Sequence, residues 1–252
     1  MNYLRGFSIL ASAALLLGLA GSPALARQPD RNKQATEYPD STRTEPKLDL
    51  TKPAEQKQLQ EGYDALNKGD AAAAEPTLQA LLDKSKSKYI QAMALRGLAL
   101  LKYNAGDYKV SVDLLQRALD NGVLPNDAYF SVMYMLAAAQ QADGQYQASL
   151  DTIAKWREEG KKETAESYAI EGNDLYRLEK YAEAVAAIKK AQSLTDTPNP
   201  QWDQILLASY AASGQDEQLV QMARDNLAAH PDDPEAIDTA IQALQQAQKY
   251  PE

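Results

Sequence analysis

Three stretches of this chain are near-copies of one another: GDYKVSVDLLQRAL from Gly106, GQYQASLDTIAKW from Gly144 and, with the glycine replaced, EKYAEAVAAIKKA from Glu179. Each places a turn and a tyrosine ahead of a helix with one apolar face, as Val110, Leu114, Leu115, Ala118 and Leu119 form in the first copy. Aligning the chain on that turn gives unit starts at Glu55, Ala92, Phe130, Ala165, Pro200 and Pro234, with spacings of 37, 38, 35, 35 and 34 residues. Units of this length hold two helices, and stacking them buries faces that no single unit can bury alone. The repeat therefore predicts an all-α chain.

The recurring residue types have mechanical roles. Gly69, Gly106, Gly144 and Gly214 fall between the two helices of a unit, where positive φ ends the first helix. Tyr108, Tyr146, Tyr181 and Tyr250 follow the turn, each ring wedged between helices with its hydroxyl in water. Small residues mark close helix crossings: Gly62, Ala99, Ala137 and Gly172 in first helices, and Ala74, Ser111, Ser149 and Ala184 in second helices. Together these positions resemble the tetratricopeptide repeat (TPR) family over everything after Ala54. The resemblance implies a right-handed superhelix, an α-solenoid of stacked antiparallel helix pairs over 55–252. Pro231 stands where the family usually has its terminal proline.

Toward the end the pattern loosens, because Leu207, Leu219 and Ile241 replace small residues, and the helix spacing there is expected to open. The sixth unit stops at QAQKYPE, so its first helix is expected to lack a partner and to expose its apolar face, as in a fragment of a longer array.

Residues 1–26 read as a signal peptide, with Arg5, an apolar run from Phe7 to Ala20, Pro23 and an Ala24-Leu25-Ala26 cleavage site. The run is shorter than the ~20 residues of a spanning helix, so cleavage before Arg27 and export to the periplasm are expected. With no cysteine the chain has no disulfide framework, thiolate metal site or lipid-accepting residue. Losing Arg5 takes the net charge from −9 to −10, which disfavours nucleic acid and anionic lipid as partners. Residues 27–54 carry four prolines and few apolar side chains, the composition of a disordered or loosely docked leader that Tyr38, Leu48 and Leu50 could pin to a neighbouring surface.

No catalytic constellation is legible. The one histidine, His230, precedes Pro231 at a helix end. Asp232, Asp233 and Glu235 lack the alternating ligands of a calcium loop, and Asp233 before Pro234 reads as a helix N-cap. The run EEGKKE from Glu158 reads as a solvated connection. The chain is thus expected to be no enzyme and to need neither cofactor nor metal.

What the TPR resemblance implies instead is a binding surface on the concave side, lined by first helices. The positions that face that groove in the family fall on Tyr63, Arg96, Tyr103, Asn104, Tyr134, Asn173, Tyr176, Arg177 and Gln204. Tyrosine and arginine bring large contact area and directed hydrogen bonds, which suits protein or peptide partners. A narrower resemblance rests on Tyr38, Pro39 and Arg43 in YPDSTRTEPKLDL and on the phrase DTIAKWREEGK ending at Lys161. It is to periplasmic TPR proteins encoded with TonB-type energy-transduction systems of gammaproteobacteria. It implies an accessory scaffold meeting TonB, its membrane partners or an outer-membrane receptor; the alternative is a periplasmic chaperone or envelope-assembly factor that holds client polypeptides.

Overall fold

The structure is a computed structural model that describes residues 36–47, 52–197 and 199–249; the expected signal peptide, Leu48, Leu50 and Tyr250 lie outside the described residues. Eleven helices and no strand are found among them. They form two compact units, the first ending at Lys162 and the second beginning at Glu163. The first contains three helix pairs: α1 (Pro53–Asn67) with α2 (Ala71–Lys84), α3 (Lys88–Asn104) with α4 (Tyr108–Asp120), and α5 (Asn126–Ala142) with α6 (Tyr146–Gly160). The second contains α7 (Ala165–Arg177) with α8 (Tyr181–Ser193), α9 (Pro200–Ser213) with α10 (Asp216–Ala229), and α11 (Pro234–Lys249). No helix among the described residues is long and apolar enough to cross a membrane.

The third and fifth helices begin about a turn before the starts assigned from the repeat. Ser87 caps α3, its hydroxyl accepting from the Ile90 N–H, and Pro125 precedes α5.

The turns within pairs repeat one hydrogen-bonding device. In the second pair the Gly106 N–H donates to Tyr103 O and the Asp107 N–H to Lys102 O, at 3.0 and 2.9 Å. Gly144 with Gln145 and Glu179 with Lys180 make the same two bonds to Gln141 and Gln140 and to Tyr176 and Leu175. This is the Schellman closure, which satisfies orphan carbonyls at a helix C-terminus and requires one residue with positive φ. Gly106 and Gly144 supply it at φ 79° and 77°, and where the glycine is missing Glu179 takes φ 62° itself.

Close crossings occur where small residues stand. Gly62, Ala74, Ala99, Ser111, Ala137, Ser149, Gly172 and Ala184 are all buried. The Ser111 hydroxyl donates to Ala99 O and that of Ser149 to Ala137 O, both at 2.9 Å, so the same bond joins the two helices within each of two successive pairs. A Cβ on Gly172 would stand 2.5 Å from Ile188 Cδ1, closer than atoms tolerate. In the fifth pair, Leu207 and Leu219 are buried where small residues stand earlier, and the α9–α10 packing is the sparsest of the five pairs. Helix α11 buries Ala236, Ala240 and Ala243 but leaves Ile237, Ile241 and Leu244 exposed at 39, 47 and 37%. Asp233 accepts from the Glu235 N–H at 3.1 Å at the start of that helix, and His230 caps the end of α10 through its N–H to Asn226 O.

Candidate functional site: first-helix side chains and a docked leader

The nine residues expected to face a groove divide between the two units. Five are in the first. Tyr63 corrects the expectation: it is 7% exposed, its hydroxyl donates to Met93 O at 2.8 Å, and it joins α1 to α3 instead of facing a ligand. Burial pushes its phenol above the usual range, while nearby Arg96 pulls it down. Arg96 is half-buried, its guanidinium 5.7 Å from the Tyr63 ring and its Nη2 donating to Ser131 Oγ on α5 at 3.3 Å. Tyr103 packs edge-on against the turn residue Tyr108 at 5.3 Å, and the following Asn104 is exposed. Tyr134 is half-buried with its ring 5.7 Å from Trp156.

Four belong to the second unit. Tyr176 meets the turn residue Tyr181 at 5.7 Å, a counterpart of the Tyr103–Tyr108 contact. Asn173 is half-buried on the same helix, whereas Arg177 and Gln204 are exposed. A tyrosine five residues before the turn tyrosine is thus a packing partner for it, and only part of each ring stays open to solvent.

A second constellation is centred on α5 and α6; the sequence indicated that Tyr38 could pin the leader to a neighbouring surface, but not which one. Residues 36–47 form no helix or strand, make a turn at Pro39-Asp40 closed by the Ser41 N–H to Tyr38 O at 3.3 Å, and lie on the start of α5 and the end of α6. Tyr38 is 6% exposed, stacked on Phe130 at 4.4 Å between ring centroids and edge-on to Trp156 at 5.8 Å. The Trp156 indole N–H donates to Phe130 O at 3.0 Å, which fixes the two walls of this seat. Gly160 forms its floor, since a Cβ there would stand 3.1 Å from the Tyr38 ring. Burial, with a contribution from Glu37, pushes the Tyr38 phenol up to about 12.

Five residues on, the Arg43 guanidinium lies 4.1 Å over the Tyr129 ring and its Nη1 donates to Asn126 Oδ1 at 2.8 Å. Asn126 Nδ2 returns a bond to Arg43 O at 3.3 Å. Tyr129 in turn donates to Glu159 Oε2 at 2.9 Å, and its phenol is pushed up to about 12, first by burial and then by that carboxylate.

The segment also satisfies two helix ends. Helix α5 has no side-chain cap from its own N-cap residue Pro125, and Glu45 Oε1 accepts from the Asn126 N–H at 3.2 Å instead. At the C-terminus of α6 the Glu159 carbonyl accepts from the Thr42 N–H at 3.0 Å. One short segment therefore supplies partners to an orphan donor and an orphan acceptor. The stretch EEGKKE, read from sequence as a solvated connection, is corrected here: Glu159, Gly160 and Lys162 all touch residues 36–47, Lys162 through Glu37 at 3.6 Å and the Tyr38 ring at 4.7 Å. The signals for this were present as Trp156 and the Tyr129-Phe130 pair, but nothing local ties them to a tyrosine some ninety residues earlier.

No family model matches the sequence, and no curated protein matches it. Solved structures do. A tetratricopeptide repeat protein from Parabacteroides merdae ATCC 43184 is similar with a TM-score of 0.63 at 15% identity, over 79% of this chain and 75% of that one. MamA (residues 41 to the end) from Desulfovibrio magneticus RS-1 is similar with a TM-score of 0.56 at 15% identity, over 80% of this chain and 99% of that one. With its paired helices, glycine turns and small-residue crossings, the chain has the tetratricopeptide repeat fold.

Proposed function

We propose that this protein is a non-enzymatic TPR scaffold that works in the periplasm by holding polypeptide partners, as an accessory to a TonB-type outer-membrane uptake system. The observation that carries the binding role is the half-buried, oriented state of the first-helix side chains. Arg96 is steered by the Tyr63 ring and Ser131, and Tyr103 and Tyr176 are braced by Tyr108 and Tyr181. Side chains held this way lose little rotamer entropy when a partner binds. The periplasmic setting is supported by the signal-like first 26 residues, and the TonB setting by the YPDSTR and DTIAKWREEGK phrases.

Crosslinking in intact cells, followed by identification of captured proteins, tests the reading. TonB, its membrane partners or an outer-membrane receptor are expected in stoichiometric yield, and capture is expected to fall at least about tenfold in an Arg96→Ala, Tyr176→Ala double variant that stays folded. A broad set of unrelated unfolded clients would replace the scaffold with a chaperone. Recovery of the protein from the cytoplasm with residues 1–26 intact would overturn the location.

A further inference from the structure

The leader engages α5 and α6 as a ligand does. It contributes no helix or strand; it presents side-chain anchors to a prepared surface from irregular backbone with a turn at Pro39-Asp40. One anchor is an aromatic ring in a seat of two aromatic walls and a glycine floor, and the other is a guanidinium held by a ring face and an amide oxygen. Between them the backbone is read as well, through the Thr42 N–H to Glu159 O and Asn126 Nδ2 to Arg43 O. Pro39, directly after the buried tyrosine, restricts φ and so lowers the entropy lost on docking.

The occupant also comes from outside the repeat logic. It precedes α1 in the chain yet sits on the third helix pair. A piece of the array would pack on its sequence neighbour; a tethered ligand goes where its complement is.

We propose that the α5–α6 seat is a peptide-binding site for a segment with an aromatic residue, a following proline that opens a turn, and an arginine five residues after the aromatic one, and that residues 36–45 occupy it as a tethered ligand. A polypeptide of the same chemistry, supplied in trans, competes with the leader for Phe130, Trp156, Tyr129 and Asn126. The proposal goes beyond the scaffold reading: the seat shares helix α5, and through Trp156 a contact with Tyr134, with the first-helix surface, but it does not depend on the identity of that surface's partners.

The probe is a fluorescein-labelled peptide TEYPDSTRTEPK, residues 36–47, titrated with the full-length chain and followed by anisotropy. A Tyr38→Ala, Arg43→Ala double variant, whose own leader has lost both anchors, is expected to bind it saturably. The wild-type chain is expected to bind at least about tenfold more weakly, because a short tether holds its own segment near the seat at an effective concentration of about millimolar. Adding Gly160→Leu to the double variant fills the floor of the seat and is expected to abolish binding. If the double variant does not fold, Arg43→Ala alone, which removes no buried ring, serves as acceptor with the same expected ranking. A folded acceptor that shows no saturable binding overturns the proposal. So does equal binding to wild type and acceptor, or unchanged binding when Gly160 is replaced.

Discussion

Tyr38 stacks on Phe130 with ring centroids 4.4 Å apart and an interplanar angle of 30°, which joins a residue ahead of α1 to helix α5. That contact converts a proline-containing, polar segment into an ordered part of the first unit. Its energetic limit follows from its topology: an anchor on a segment that can leave costs at most the docking free energy of the segment.

Tyr38→Ala is accordingly expected to lower stability by about 2 kcal/mol, less than the ~3–5 kcal/mol of an aromatic truncation in an enclosed core, because the leader departs and leaves no cavity to sustain. Urea unfolding measures this, and limited proteolysis should show faster cleavage within 36–47. Tyr38→Phe should keep the ring stacking and change stability by less than about 0.5 kcal/mol. Equal losses for the two variants would mean that the hydroxyl, not the stack, holds the segment.

The same interface gives a pH dependence at the alkaline end. Tyr38 and Tyr129 both have phenols pushed up to about 12 in the folded protein, against about 10 when free, chiefly by burial. A raised pKa means that the folded state favours the neutral phenol. Their stabilising contribution is therefore complete below pH 10 and is lost as pH climbs from about 10 to about 12. Trp156 fluorescence, quenched or shifted by loss of the Tyr38 edge contact, should report release of the leader across that window. Tyr38→Phe should move the release upward in pH; an unchanged midpoint would assign it to other groups.

At the turn between α7 and α8, Glu179 occupies the left-handed region that glycine fills in the other helix pairs. Glu179→Gly should raise stability by about 0.5–1 kcal/mol, since the left-handed penalty of a side chain is removed and only part of it is returned as glycine entropy. Gly144→Ala is the mirror experiment and should cost about 1 kcal/mol; no atom lies within 4 Å of the added Cβ, so the cost is conformational and not steric. Thermal unfolding of the two variants should shift in opposite directions.

Gly172 faces the opposite problem, close approach in place of special φ. Its missing Cβ would fall 2.5 and 2.6 Å from Ile188 Cδ1 and Cγ1 and 3.4 Å from Ala184 O. Gly172→Ala should therefore destabilise the second unit by about 1–3 kcal/mol through overpacking, despite the higher helix propensity of alanine. Ile188→Val removes the nearest methyl and should recover part of that loss in the double variant. Strict additivity of the two changes, measured by chemical denaturation, would show that they do not share a site.

The repeat period, the helix-ending glycines and the small residues at crossings were legible in the sequence because each is a local signal. Apolar spacing fixes a helix face, positive φ selects glycine, and a crossing selects a residue with little or no side chain. Even the absent glycine of the fourth unit could be located, although that Glu179 would adopt φ 62° unaided could not. The burial of Tyr63 was not legible either, since a tyrosine on a first helix has the same spacing whether its hydroxyl meets water or the Met93 carbonyl on the next first helix.

By itself, then, the sequence determined that this chain stacks helix pairs with turns of one design. The tertiary structure decided where the leader goes. Arg43 meets Asn126 across 83 residues and Thr42 meets Glu159 across 117, and neither end carries a periodicity that points to the other. Their match lies in shape and in unsatisfied groups: an aromatic seat floored by Gly160, an N–H without a cap at the start of α5, and a carbonyl without a partner at the end of α6. Those groups become neighbours only after α5 and α6 have paired, so the information that seats Tyr38 exists in the assembled fold and in no stretch of the chain alone.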